Sequence, residues 1–157
     1  LKLKFLGFCL YKTGKDVGIR VHDKPMKKFK TELKAITRRN RGRAIGRVFE
    51  ELRLYVSGWL NYYAIAGMKG KLRSINEWLK RRIRQYIWKQ WKVPKARIRN
   101  LISLGIPKYL ACKWGYCKGY WRVAGSPVLT RSLTNEYLVS LGYMDVSKKY
   151  EVLHSSC

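Results

Sequence analysis

Acidic residues are the scarcest functional group in this chain, with nine Asp and Glu among 157 residues against 35 Lys and Arg. They are Asp16, Asp23, Glu32, Glu50, Glu51, Glu77, Glu136, Asp145 and Glu151, too few and too scattered for a persuasive metal site. No Asp-Asp pair occurs, and adjacent Glu50 and Glu51 would project about 100° apart on a helix. The clustered carboxylates that two-metal phosphoryl chemistry requires are therefore missing. No glycine loop ending in Gly-Lys-Ser/Thr is present to cradle nucleotide phosphates. His22 has no Cys or Ser near it in sequence; His154 is followed by Ser155, Ser156 and Cys157, and no catalytic pairing is read there. Cysteines occur at 9, 112, 117 and 157, and Cys112 and Cys117 are five apart and far from either histidine. That spacing argues against zinc and for reduced thiols in a cytosolic protein. Without catalytic carboxylates, metal ligands or a nucleotide loop, the segment reads as one that binds.

Long apolar runs are also missing. The longest uncharged stretch, LYVSGWLNYYAIAGM (54–68), is interrupted by Ser57 and Asn61 and is shorter than the roughly 20 apolar residues of a membrane span. The opening LKLKFLGFCLYK lacks the apolar region and small-residue cleavage site of a signal peptide. No membrane partner is expected, and the location expected is cytoplasmic. A chain that begins with Leu rather than Met reads as a segment of a longer polypeptide.

What the chain has in excess is positive charge: a net +26 and a pI near 10.3. With 46% hydrophobic and 13% aromatic residues it is no disordered basic tail. Its length suits one domain that buries roughly two-thirds of the surface its unfolded form exposes. Such charge destabilises a compact fold by self-repulsion, which a polyanionic partner relieves. The basic residues run from Lys2 to Lys149, so the whole domain is the electrostatic footprint.

KFLGFCLYK (4–12) and VGIRVH (17–22) are β-prone runs joined by TGKD, a hairpin pattern. Pro25 suits the first position of a helix, with Asp23 as a capping candidate. On that helix Met26, Phe29, Leu33 and Ile36 share one face, and Lys27, Lys30, Lys34 and Arg38 form a stripe opposite with no acid among them. RRNRGR (38–43) is a basic turn. A second helix carries Ile45, Val48, Phe49, Leu52, Val56, Trp59, Leu60 and Tyr63 at three- and four-residue spacing, and GMKG (67–70) breaks it. A third, about 71–92, has Leu72, Ile75, Leu79, Ile83, Tyr86 and Ile87 as its apolar face. Pro94 ends it and opens a shorter helix (95–105); another follows Pro107 (108–119). YWRVAGSPVL reads as a loop, and 133–143 as a last helix with Thr134 as N-cap. The fold expected is mostly α: a bundle on the first three helices, with short C-terminal helices and an N-terminal β-hairpin. Within WLKRRIRQYIWKQWK (78–92), Trp88 lies almost opposite Leu79, flanked by Arg81, Arg84 and Lys92, with Trp91 at the edge. Packing under the helix after Pro94 and stacking on RNA are both open for these two rings.

The order of motifs resembles the C-terminal part of bacterial group II intron reverse transcriptases, the maturases. The matching residues are Phe5-Leu6-Gly7-Phe8, Gly58-Trp59-Leu60-Asn61-Tyr62-Tyr63, Trp78-Leu79-Lys80-Arg81-Arg82-Ile83-Arg84, Ile87-Trp88-Lys89-Gln90-Trp91-Lys92 and Lys118-Gly119-Tyr120-Trp121-Arg122. Ser126-Pro127 and Thr134-Asn135-Glu136-Tyr137-Leu138 complete the series. The resemblance implies that residues 1–23 are a hairpin ending the reverse-transcriptase palm, and that 24–157 are the three-helix-bundle-like thumb, or maturase-specific domain X. It implies a non-catalytic part of an RNA-directed DNA polymerase. Its partners would be group II intron RNA, the template–primer duplex and the palm and fingers of the parent chain, in a bacterial cytoplasm. No cofactor is implied for the segment; Mg2+ belongs to the parent polymerase site and to the intron RNA. Contacts are expected from Lys27, Lys30, Lys34 and Arg38, from Arg39, Arg41 and Arg43 in the turn, and from Arg81, Arg84, Trp88, Arg97 and Arg99. They would read the shape and phosphates of an A-form duplex. A ribosomal-type basic RNA scaffold protein is the alternative, and an exposed apolar face beside the hairpin would speak against it.

Overall fold

The computed structural model describes residues 3–156; Leu1, Lys2 and Cys157, on which parts of the sequence reading fall, lie outside the described residues. The chain forms two compact units. Unit 1 takes the residues up to Ile36, Phe49–Glu77 and those from Met144 onward; unit 2 takes Thr37–Val48 and Trp78–Tyr143.

Unit 1 begins with an antiparallel meander of three strands, β1 (Leu3–Phe5), β2 (Phe8–Thr13) and β3 (Asp16–Val21), in that order. The expected hairpin is β2–β3, turning at Gly14-Lys15 with Thr13 opposite Asp16. The run expected as one strand over 4–12 is folded in two at Leu6-Gly7, where φ is 47° and 86°, and Phe5 pairs with Phe8. Two consecutive positive φ values mark the tight turn whose twist matches that of the strands. Gly7 is required twice over, because a Cβ there would also lie 2.8 Å from the Tyr63 hydroxyl oxygen. Its carbonyl accepts a 2.8 Å bond from the His22 amide.

Helix α1 (Asp23–Ile36) follows, and Phe29 and Leu33 on its apolar face are fully buried. Burying each contributes about 1.5–3 kcal/mol relative to exposure. This face, more than intrinsic propensity, holds a 14-residue helix in place. Helix α2 (Ile45–Tyr63) and helix α3 (Lys69–Gln90) match the expected spans closely, and the unit boundaries fall inside both. In unit 1 the aromatic residues of α2 form a continuous run of rings. Phe29 stacks on Trp59 at 4.2 Å, Trp59 meets Tyr63 at 4.5 Å, and Phe8 meets Tyr63 at 5.2 Å. The Gly-Trp-Leu-Asn-Tyr-Tyr motif is thus the seam between helix and sheet.

The chain does not end its helices at 143. Helix α9 (Val146–Ser155) closes unit 1, capped by Asp145, whose carboxylate accepts from the Lys148 amide. Buried Asn76 holds the cap from α3: its Nδ2 donates to Asp145 at 3.0 Å, and its Oδ1 accepts from the Val146 amide at 3.2 Å. The buried Tyr150 hydroxyl donates to the Ala66 carbonyl (2.8 Å) and accepts from the Met68 amide (3.2 Å), tying down the α2–α3 connection.

Unit 2 contains the later turns of α3 with helices α4 (Pro94–Ser103), α5 (Lys108–Gly115), α6 (Tyr120–Ala124), α7 (Pro127–Ser132) and α8 (Asn135–Ser140). Its core includes Trp88, Leu101, Val123, Leu129 and Leu133. The segment expected as a loop, YWRVAGSPVL, is helical on both sides of Gly125. The apparent breakers start a helix instead: Ser126 Oγ accepts from the Leu129 amide, and Pro127 takes the first helical position. Thr134 caps α8 as expected, accepting from the Tyr137 amide at 3.2 Å.

Candidate nucleic-acid interface

Charge is divided unevenly between the units. Of the nine acids only Glu136 falls in unit 2, which holds more than half of the 35 Lys and Arg. The ion pairs Lys69–Glu151 (2.9 Å) and Lys71–Asp23 (3.5 Å) are both in unit 1.

In unit 1 the solvent face of α1 presents Lys27, Lys30 and Lys34, all spaced by three and four residues and open to solvent, opposite buried Phe29 and Leu33. The fourth residue expected in this stripe, Arg38, is not on the helix. Helix α1 stops at Ile36, and Arg38 belongs to unit 2, in the basic turn with Arg39, Arg41 and Arg43.

That turn is held by one face of α3. Arg82 Nε donates to Thr37 Oγ1 at 2.7 Å and its Nη2 to the Thr37 carbonyl at 3.3 Å. One turn on, the buried Tyr86 hydroxyl donates to the Arg43 carbonyl at 2.6 Å, and a turn further Gln90 Nε2 donates to the same oxygen at 2.8 Å. Side chains four residues apart on a helix lie one above another. Arg82, Tyr86 and Gln90 therefore grip the turn at both ends, leaving Arg38 and Arg43 exposed and Arg39 and Arg41 half-buried. Burial first, and the neighbouring Arg39 charge second, hold the Arg82 guanidinium below its ordinary pKa. Arg82 and Gln90 escaped the sequence reading; their four-residue spacing with Tyr86 was visible, but not what that face would meet.

Three residues expected at the RNA surface are inside unit 2 instead. Trp88 has no exposed surface, so of its two readings the structure takes packing, with the Arg97 guanidinium 4.7 Å from its ring centroid. Arg84, 7% exposed, donates from Nε to the Leu133 carbonyl at 2.9 Å and from Nη2 to Asn135 Oδ1 at 3.1 Å. It fills the junction between α7 and α8, where the last carbonyls of one helix need donors. Arg97, 5% exposed, points at the Gly115 and Cys117 carbonyls and the Tyr120 hydroxyl. A helical wheel could not separate these arginines from solvated ones, because their partners are carbonyls distant in sequence. Arg81 is half-buried and donates twice to the Trp121 carbonyl (3.2 and 2.8 Å) with its guanidinium 4.1 Å above that ring. Arg99 is exposed, and Trp91 is half-buried, 5.8 Å from Trp88.

Among the described residues no group of three or more His, Cys, Asp or Glu could hold a metal ion, and no helix is long and apolar enough to cross a membrane.

No curated protein matches the chain. Residues 26–104 match the family described as the group II intron, maturase-specific domain. The match runs from α1, with its lysine stripe, through the gripped basic turn and the whole of α2 and α3 to the end of α4. This chain belongs to the group II intron maturase-specific domain family, which ties it to maturase function in group II intron splicing and to association with group II intron RNA.

Proposed function

We propose that the chain is the RNA-binding thumb of a group II intron reverse transcriptase, holding intron RNA and the template–primer duplex during splicing and retrohoming in the bacterial cytoplasm. The observation that carries this reading is the pair of cationic surfaces, Lys27, Lys30 and Lys34 on α1 and Arg38, Arg39, Arg41 and Arg43 in the gripped turn. Exposed Arg99 and half-buried Arg81 add to them. Solubility alone favours mixed charges on a surface, whereas a phosphate backbone rewards a single sign. Catalysis then belongs to the polymerase part of the parent chain, and this segment positions nucleic acid for it.

An apolar surface in unit 1 supports the same reading against a self-contained scaffold protein. Phe5, Leu6 and Leu54 are 71%, 66% and 72% exposed around a groove floored by Phe8, Tyr55 and Trp59. Beside the sheet edge, this is where the palm of the parent chain would pack, and a free-standing scaffold has no use for such a patch.

The test is binding to an A-form RNA duplex over a range of salt. Changing Lys27, Lys30 and Lys34 together to Gln should make the slope of log K against log salt shallower by about 2 to 3, roughly one unit for each phosphate no longer neutralised. Unaltered slope and affinity at about 100 mM salt would show that α1 does not touch the RNA.

A further inference from the structure

Three cations of unit 2 converge on one aromatic ring. The Tyr120 centroid lies 4.6 Å from the Arg39 guanidinium, 5.6 Å from Lys89 Nζ and 5.6 Å from the Arg97 guanidinium. They come from the basic turn, from the end of α3 and from α4, so the fold and not local sequence assembles them. Among the described residues none of the three has a carboxylate partner, and unit 2 has only Glu136 to offer. A ring's negative face attracts each cation, but one ring cannot offset three like charges that also repel one another.

The innermost of the three is poorly served. Arg97 is 5% exposed, its hydrogen bonds are long at 3.4 to 3.5 Å, and its Nε is buried without a partner among the described residues. Trp88 Nε1, beneath the same guanidinium, is likewise buried and unpartnered. A buried guanidinium with strained hydrogen bonding and no counter-charge raises the positive potential over the ring. At the outer side Lys89 is exposed and Arg39 and Tyr120 are half-buried, so solvent reaches the cluster.

We propose that the rim of Tyr120 is a phosphate-binding site in which Arg39 and Lys89 take the phosphate oxygens and buried Arg97 supplies charge from behind. A tetrahedral anion offers oxygens in several directions and can bridge an arginine fork and a lysine point charge on separate elements. A carboxylate confines its two oxygens to one plane and suits a single guanidinium fork better than two cations on separate elements. The phosphate is either a nucleic-acid phosphodiester or free inorganic phosphate; only the first source rests on the RNA-binding reading above.

The experiment uses the full chain and the Arg39→Gln/Lys89→Gln double variant, with Lys89→Gln alone as a milder variant and far-UV circular dichroism as the check on folding. One arm follows Tm as inorganic phosphate replaces chloride at constant ionic strength; the other follows affinity for an A-form RNA duplex against salt. The variants should lose at least half of the phosphate-dependent rise in Tm, and the RNA salt slope should fall by about one unit. Without phosphate the double variant should be no less stable than the parent, because like charges have been removed from a crowd. Loss in the RNA arm alone assigns the site to a phosphodiester, and loss in the Tm arm alone assigns it to free phosphate. No loss in either arm overturns the site, as does a lowered Tm in chloride with an intact phosphate response, which marks a structural role. If these variants match the parent while the α1 glutamine variant loses RNA affinity, the functional reading stands and only this site falls.

Discussion

The grip of α3 on the basic turn can be loosened without touching any charge. Changing Tyr86 to Phe and Gln90 to Met removes both side-chain donors to the Arg43 carbonyl, at 2.6 and 2.8 Å, and leaves every cation in place. A typical hydrogen bond contributes about 0.5–1.5 kcal/mol net. The Tyr86 bond belongs at the upper end, since the residue is 2% exposed; the exposed Gln90 belongs lower, because water can replace it. Together they should cost about 1–2 kcal/mol, a fall in Tm of about 2–8 °C for a chain of this size. If the turn must be in place to bind RNA, its competent fraction falls, and the apparent Kd rises by up to a factor of about 5–30. The salt slope should stay the same, because the same phosphates are neutralised once the complex forms. Thermal unfolding followed by circular dichroism, with fluorescence anisotropy of a labelled A-form duplex at several salt concentrations, reads all three quantities. A lowered Tm with unchanged Kd would refute a role for residues 38–43 in gripping RNA. A shallower slope would refute preorganisation, since it means that fewer phosphates are neutralised in the complex itself.

Two further substitutions test the packing of unit 1. Gly7→Ala and Gly14→Ala both force a side chain into positive φ (86° and 63°), costing about 1 kcal/mol each; only at Gly7 does the new Cβ also meet Tyr63 and Pro25, adding about 1–3 kcal/mol. Urea midpoints should separate the two variants, and equal losses would count against the close approach of sheet and helix. Tyr150→Phe strands the buried Ala66 carbonyl and Met68 amide at a cost of about 1–3 kcal/mol. Hydrogen exchange at the Met68 amide should accelerate markedly, and unchanged protection there would mean that α9 does not hold the α2–α3 connection.

The long helices were readable from the sequence because apolar spacing alone decides them. Leu72, Ile75, Leu79, Ile83, Tyr86 and Ile87 are all buried, as α3 requires. What escaped depended on partners remote in sequence or on backbone angles that residue type does not reveal. Leu6 is a poor advertisement for a left-handed turn, yet it shares one with Gly7. Ser126-Pro127 reads equally as a breaker and as a helix start, and the outcome rests on one bond from the Leu129 amide. Helix α9 buries only Val146 and Tyr150 and is defined as much by Asn76 on α3 as by its own residues. At the candidate interface, the exposure of Lys27, Lys30, Lys34 and Arg99 could be read from periodicity and charge. That of Arg84, Arg97 and Trp88 could not, because only tertiary packing decides which of them water reaches.

The route of the chain through unit 1 bears on how the protein comes to exist. The chain leaves that unit at residue 77 and rejoins it at 144, and Tyr150 and His154 complete their bonds to Ala66 and Ala64 at sequence separations of 84 and 90. During synthesis, every residue of unit 2 therefore emerges before the piece that closes unit 1. Pairings over such distances are slow to form, because loop closure must precede the contacts that reward it. A chain cut short after Tyr143 would keep all of unit 2, with Arg39, Lys89 and Tyr120, and would leave the sheet, the lysine helix and the aromatic seam without their lock. The order in which the ribosome delivers these segments makes unit 1 the later half to mature, although it begins at the chain's first strand.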